Sequence, residues 1–172
     1  MKAPEHGVGI YARFLLAAAW GILCLSFTAA PVLVAHACNK TAAILYLFFS
    51  FICHQIPERS FLVCGHTLAV CHRCSGIYLG LFLAALIDLS FIHKSPRVRR
   101  CWVLAATAPL VLDALLPGVG LWHSGDLSRF LTGMLFGTAA APLLGRGMTE
   151  LLQEAPWRRF PFRNLSFKGG LS

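Results

Sequence analysis

Acidic side chains are scarce in this chain. Its 172 residues include 7 Asp and Glu, and all charged residues together make up 13%, about half the quarter usual in a soluble domain. A chain so short of charge cannot cover itself with a hydrated surface, which excludes a soluble globular domain. Also missing is a polar face along which the basic residues line up. The formal net charge is +8, yet Lys and Arg fall in short runs beside apolar segments. That pattern argues against nucleic acid as a partner and for anchoring to the anionic headgroups of a lipid bilayer. Finally, the 7 cysteines are an odd number and cannot all pair within one chain.

What the chain does have is hydrocarbon: 57% of residues are hydrophobic and the mean hydropathy is +0.68. The apolar runs predict an all-α, polytopic membrane helix bundle of five spans, or four plus a re-entrant segment, in a single membrane domain over residues 1–172. Residues 10–35 are long enough to cross the roughly 30 Å of a hydrocarbon core and too long for the h-region of a signal peptide. Residues 41–56 are apolar but short, stopped by Pro57, and lead into a Cys/His motif that ends at Cys74. Three more helical runs are expected within residues 75–147, at about 75–92, 101–116 and 128–144. Gly76 and Gly80 in the first of these, and Gly133, Gly137, Ala141 and Gly145 in the last, recur at four-residue spacing and give smooth helix faces. Residues 148–172 read as a basic, aromatic interfacial tail.

Orientation follows from the basic residues. Lys94, Arg97, Arg99 and Arg100 crowd one short loop, which the positive-inside rule places in the cytoplasm together with the C-terminal tail. The Cys/His motif then faces the non-cytoplasmic side of the cell membrane, on the same side as His123 and Asp126.

The chemistry is concentrated between Cys53 and Cys74. Four cysteines (Cys53, Cys64, Cys71, Cys74) and three histidines (His54, His66, His72) fall there, and Cys71 and Cys74 form a C-x-x-C. Thiolate and imidazole at this density suit zinc, with Cys53, Cys71, Cys74 and His54 as ligands and His66 as a substitute for His54. No standard zinc-finger spacing is present, and two other readings stand beside this one. An outward-facing stretch also suits disulfides, and Arg73, His72 and the helix start could activate a thiol for redox exchange. Cys24, Cys38 and Cys101 are read as inert small hydrophobes.

Arg59, Arg73 and Arg129 could together hold an anionic group of a lipid or lipid-linked substrate. Asp113, buried in an apolar run, needs a partner, and Arg129 stands at comparable depth across a short connection. In a pocket, Asp113 or His123 could serve as acid or base. The competing class is a non-catalytic scaffold that meets another membrane protein through its glycine faces.

The run CHQIPERSF, then CG, then AVCHRCSGIYLG resembles the signature of the small prokaryotic membrane proteins grouped as domain of unknown function 2085. Asp113, the run from Arg129 to Gly133, and Phe136-Gly137 resemble the second half of that family, so the likeness covers about Leu45 to Gly145. It maps onto Cys53, His54, Gln55, Pro57, Arg59, Ser60, Gly65, Cys71, Arg73, Cys74, Gly76, Tyr78 and Gly80; Cys64, His66 and His72 fall outside it. The resemblance implies a membrane protein with a Cys/His site and supplies no reaction.

Overall fold

A computed structural model describes residues 5–87, 96–120 and 125–154. Five helices carry it: α1 (Glu5–Ala35), α2 (Asn39–Ser50), α3 (His72–Ile87), α4 (Pro96–Leu115) and α5 (Asp126–Glu154). Each expected apolar run is a helix. Their ends differ most at α5, which continues through Pro142 and Gly145 to Glu154, so the start of the expected tail is helical. Residues 88–95, His123 and the tail beyond Glu154 lie outside the described residues.

α1 and α5 are long and apolar enough to cross a membrane, and only 22% and 17% of their apolar windows are buried. The core helix of a soluble protein would be mostly covered. Here Ile10, Phe14, Ile22 and Leu25 of α1, and Leu131, Leu135 and Leu151 of α5, point outward, where hydrocarbon would receive them.

α1 ends in a Schellman motif. Cys38 N–H donates to the Leu33 carbonyl at 2.9 Å and Ala37 N–H to Val34 at 3.0 Å, with Ala37 in the left-handed region at φ 60°. The chain reverses there, and α2 folds back along α1. With 12 residues it is about 18 Å long, well short of a crossing. Phe49, near the end of α2, packs edge-on against Phe27 with ring centroids 6.0 Å apart, so α2 stops level with the interior of α1.

α3 and α5 are the most closely joined pair. A Cβ on Gly76 or Gly80 would land on the carbonyl oxygens of Phe130 or Met134, and one on Gly133 or Gly137 on those of Arg73 or Ile77. The two glycine faces therefore interlock inside the chain, backbone against backbone. That corrects the expectation that these faces serve another membrane protein, since they are consumed internally. Gly145, further along the same row, meets nothing within 4 Å.

Candidate metal centre

The segment between α2 and α3 is built by local devices. Cys53 N–H still caps α2, donating to the Phe49 carbonyl at 2.8 Å. Gln55 then adopts φ 49°, which swings its side chain back so that Nε2 donates to the carbonyls of Tyr46 at 2.7 Å and Ala69 at 2.9 Å. Pro57–Arg59 forms one 3-10 turn, and Leu62–Val63 pairs antiparallel with His66–Thr67. The two residues between these strands, Cys64 and Gly65, have φ 52° and 79°, as a type I′ hairpin turn requires. The Tyr46 hydroxyl donates to the Thr67 carbonyl and ties the hairpin to α2. Leu68, Ala69 and Val70 then run through the core beside Phe27, Ala30, Phe49 and Cys53.

These devices bring Cys53 to the start of α3. Cys71 caps that helix: its carbonyl accepts from the Ser75 N–H at 2.9 Å and the Ser75 hydroxyl at 3.0 Å. Cys74 follows one turn later, and the sulfurs of Cys53, Cys71 and Cys74 all lie within 4.8 Å of one another. Zinc–sulfur bonds of about 2.3 Å in a tetrahedron place sulfurs about 3.8 Å apart, so the cluster fits an ion with small adjustment. All seven cysteines are free thiols; Cys24 is half-buried against the core, while Cys38, Cys64 and Cys101 are exposed.

Cys53 is the hydrogen-bond acceptor of the cluster. Hydrogen bonds from the Cys71 and Cys74 thiols pull its pKa far below the ordinary thiol range, with the backbone N–H groups of Gln55 and Cys71 adding to the effect. The Cys71 N–H stands 3.2 Å from Cys53 Sγ. Burial acts in the opposite direction and loses.

No histidine joins it among the described residues. His54 is exposed and His66 sits on the hairpin, half-buried. The expected fourth ligand, His54, stands outside the three-sulfur cluster and on the lining of the adjoining cavity. His72, which lies inside the C-x-x-C, is 3% exposed with its ring 4.2 Å from that of Phe61. Its Nδ1 is 3.2 Å from a carboxylate oxygen of Asp126 but off the line of a hydrogen bond, so the contact is electrostatic.

Beside the cluster opens a cavity of about 320 Å³. Arg59, Arg73, Arg129 and His54 line it along with the three cysteines, as do Ile52 and Ile56. Three arginines far apart in sequence thus share one space. Asp113 is not in its lining. It is 5% exposed and takes the Arg73 guanidinium as a fork: Nη2 donates to Oδ2 at 2.8 Å and to the Asp113 carbonyl at 2.6 Å, and Nε to Oδ2 at 3.2 Å. The Ser128 hydroxyl donates to Oδ1 at 2.7 Å. The expected Asp113–Arg129 pair is corrected to Asp113–Arg73. On α5 it is Ser128 that faces Asp113, and Arg129, about 100° further round the helix, turns to the cavity.

A family model described as "Predicted membrane protein (DUF2085)" matches residues 53–143, just over half of the chain. It begins at Cys53 and takes in the cysteine cluster, the three arginines, Asp113 and both glycine pairs. The chain belongs to this family. An uncharacterized protein of Methanocaldococcus jannaschii is 40% identical over 96 residues, covering 54% of this chain and 61% of that protein. One from Methanothermobacter thermautotrophicus is 36% identical over 95 residues, covering 55% of this chain and 86% of its own length. Of the first of these relatives, then, the chain spans about three fifths. No solved structure matches.

Sequence reasoning did not find the hairpin, the Gln55 strut or the place of His72. A Cys-Gly pair between two short apolar stretches was the available signal for the hairpin; nothing local marked Gln55.

Proposed function

We propose that this family member is a membrane zinc protein whose ion is held by Cys53, Cys71 and Cys74 with its fourth position open to the arginine-lined cavity. The convergence of the three sulfurs on that cavity carries the reading. Zinc is favoured over harder ions by the thiolate set. With an open position, zinc supplies a Lewis acid or an activated water. The chain's own residues then do the rest: Arg59, Arg73 and Arg129 attract an anionic, lipid-linked substrate, and Asp113, locked to Arg73, orients that arginine rather than moving protons. His123 remains a candidate acid or base, outside the described residues. A thiol–disulfide role is the second reading, supported by the stabilised Cys53 thiolate and by a C-x-x-C at a helix start.

Elemental analysis with thiol counting on protein purified without chelator separates these readings. About one zinc per chain, lost in the Cys71→Ser, Cys74→Ser double variant but kept in Cys24→Ser, is expected. Full metal content in that double variant would falsify the assignment. Absence of metal together with one abnormally acidic thiol would favour redox work.

In this reading α3 and α4 also cross the membrane, with the metal centre on the non-cytoplasmic side and residues 93–100 in the cytoplasm. The exposed turn cysteine, Cys64, should then react with an impermeant thiol reagent in intact cells. A Ser95→Cys reporter in a background without exposed cysteines should stay unlabelled until the cells are opened. Labelling of Ser95→Cys in intact cells reverses the orientation.

A further inference from the structure

We propose that the cavity beside the cysteine cluster holds the phosphate of an anionic lipid, with an acyl chain lying over Phe51, Ile52 and Ile56. This deepens the reading above, since it rests on the same cavity and on a chain embedded in lipid. The cavity lining is mixed: Arg59, Arg73 and Arg129 contribute guanidinium groups, and Ile52 and Ile56 contribute hydrocarbon. Ile52 is 53% exposed, and Phe51, beside it in the chain, is 83% exposed. A free inorganic anion would use only the guanidinium groups. A lipid uses both, with its headgroup among them and its chain on hydrocarbon.

The number of donors selects phosphate over carboxylate. Guanidinium groups from three places in the chain border one cavity, and phosphate oxygens, unlike the two of a carboxylate, can meet donors from several directions even when some are engaged elsewhere. Arg73 is partly committed to Asp113, so its charge is already countered. Arg59 is different: it lies on the exposed 3-10 turn, and no ion pair to its guanidinium is seen among the described residues. It is the principal hand-hold. The shortness of α2 fits this too, because Phe49 near its end packs on Phe27 within α1, so the cavity residues that follow Phe49 begin alongside an apolar helix.

Native mass spectrometry of protein in a neutral detergent tests this, with phosphatidylglycerol, diacylglycerol of the same chains, and inorganic phosphate as probes. Phosphatidylglycerol should be retained and diacylglycerol should not, and millimolar phosphate should fail to displace the lipid. Arg59→Gln, at an exposed site that leaves the fold intact, should weaken retention about tenfold. Phe51→Ser should weaken it without creating any affinity for phosphate. Displacement by phosphate alone would overturn the lipid in favour of a soluble anion, and unchanged retention in Arg59→Gln would overturn the site. Zinc is counted on the same samples. Metal without lipid selectivity sinks this inference alone, and lipid selectivity without metal sinks only the metal reading.

Discussion

Gly137→Leu should fail to fold, and Gly76→Leu likewise. At both positions an added Cβ meets backbone rather than the end of a flexible side chain: the Ile77 carbonyl in one case, the Phe130 carbonyl in the other. A clash with a side chain can be relieved by a rotamer change, but here a whole helix must move. Overpacking by single methylenes already costs about 1–3 kcal/mol where cores can adjust. Separating α3 from α5 would in addition forfeit the close contacts of four glycines, and marginal stabilities of about 5–15 kcal/mol do not survive such a loss. Gly145→Ala is the control. Nothing lies within 4 Å of a Cβ there, and the helix gains up to about 1 kcal/mol of propensity. Unfolding in detergent, followed by circular dichroism, compares the three variants. A Gly137→Leu protein that melts like the parent would disprove the interlocked crossing.

Arg73→Leu should destabilise the protein by about 3–5 kcal/mol, because it strands the desolvated Asp113 carboxylate, and Asp113→Leu should cost less. Asp113 is 5% exposed and receives hydrogen bonds from Arg73 and Ser128, whereas Arg73 is 24% exposed and lines the cavity, where water can reach it. The double variant should lose much less than the sum, since two apolar side chains in that space carry no unmet charge. A double-mutant cycle in mixed micelles measures the difference. Strict additivity would mean that the pair is not coupled. Metal content adds an independent readout: Arg73 sits between Cys71 and Cys74, so Arg73→Leu should also lower zinc occupancy if the fork helps to set the C-x-x-C.

Much of this architecture could be read from local chemistry. The apolar runs gave five helices because hydrocarbon stretches bounded by Pro, Gly and basic residues have few other solutions, and the four-residue glycine spacing marked the faces that now interlock. The three cysteines were legible for a similar reason, as C-x-x-C spacing at a helix start already brings two sulfurs together. What escaped depends on direction rather than on residue type. Asp113 could have paired with either Arg73 or Arg129 by depth alone, and the choice is made by the rotation of α5, which aims Ser128 at Asp113. His54 follows Cys53 in sequence yet stands outside the three-sulfur cluster, because successive side chains diverge. The hairpin was hidden because Cys64 takes a left-handed conformation usually filled by Asn, Asp or Gly, and Gln55 was hidden for the same reason.

Gly133 rests on the carbonyl of Arg73, the residue just before Cys74 in the C-x-x-C. α5 supplies none of the three sulfurs, yet it presses on the backbone that spaces two of them. The spacing of Cys71 and Cys74 is therefore braced from outside the cluster, by a helix that closely approaches the peptide between them.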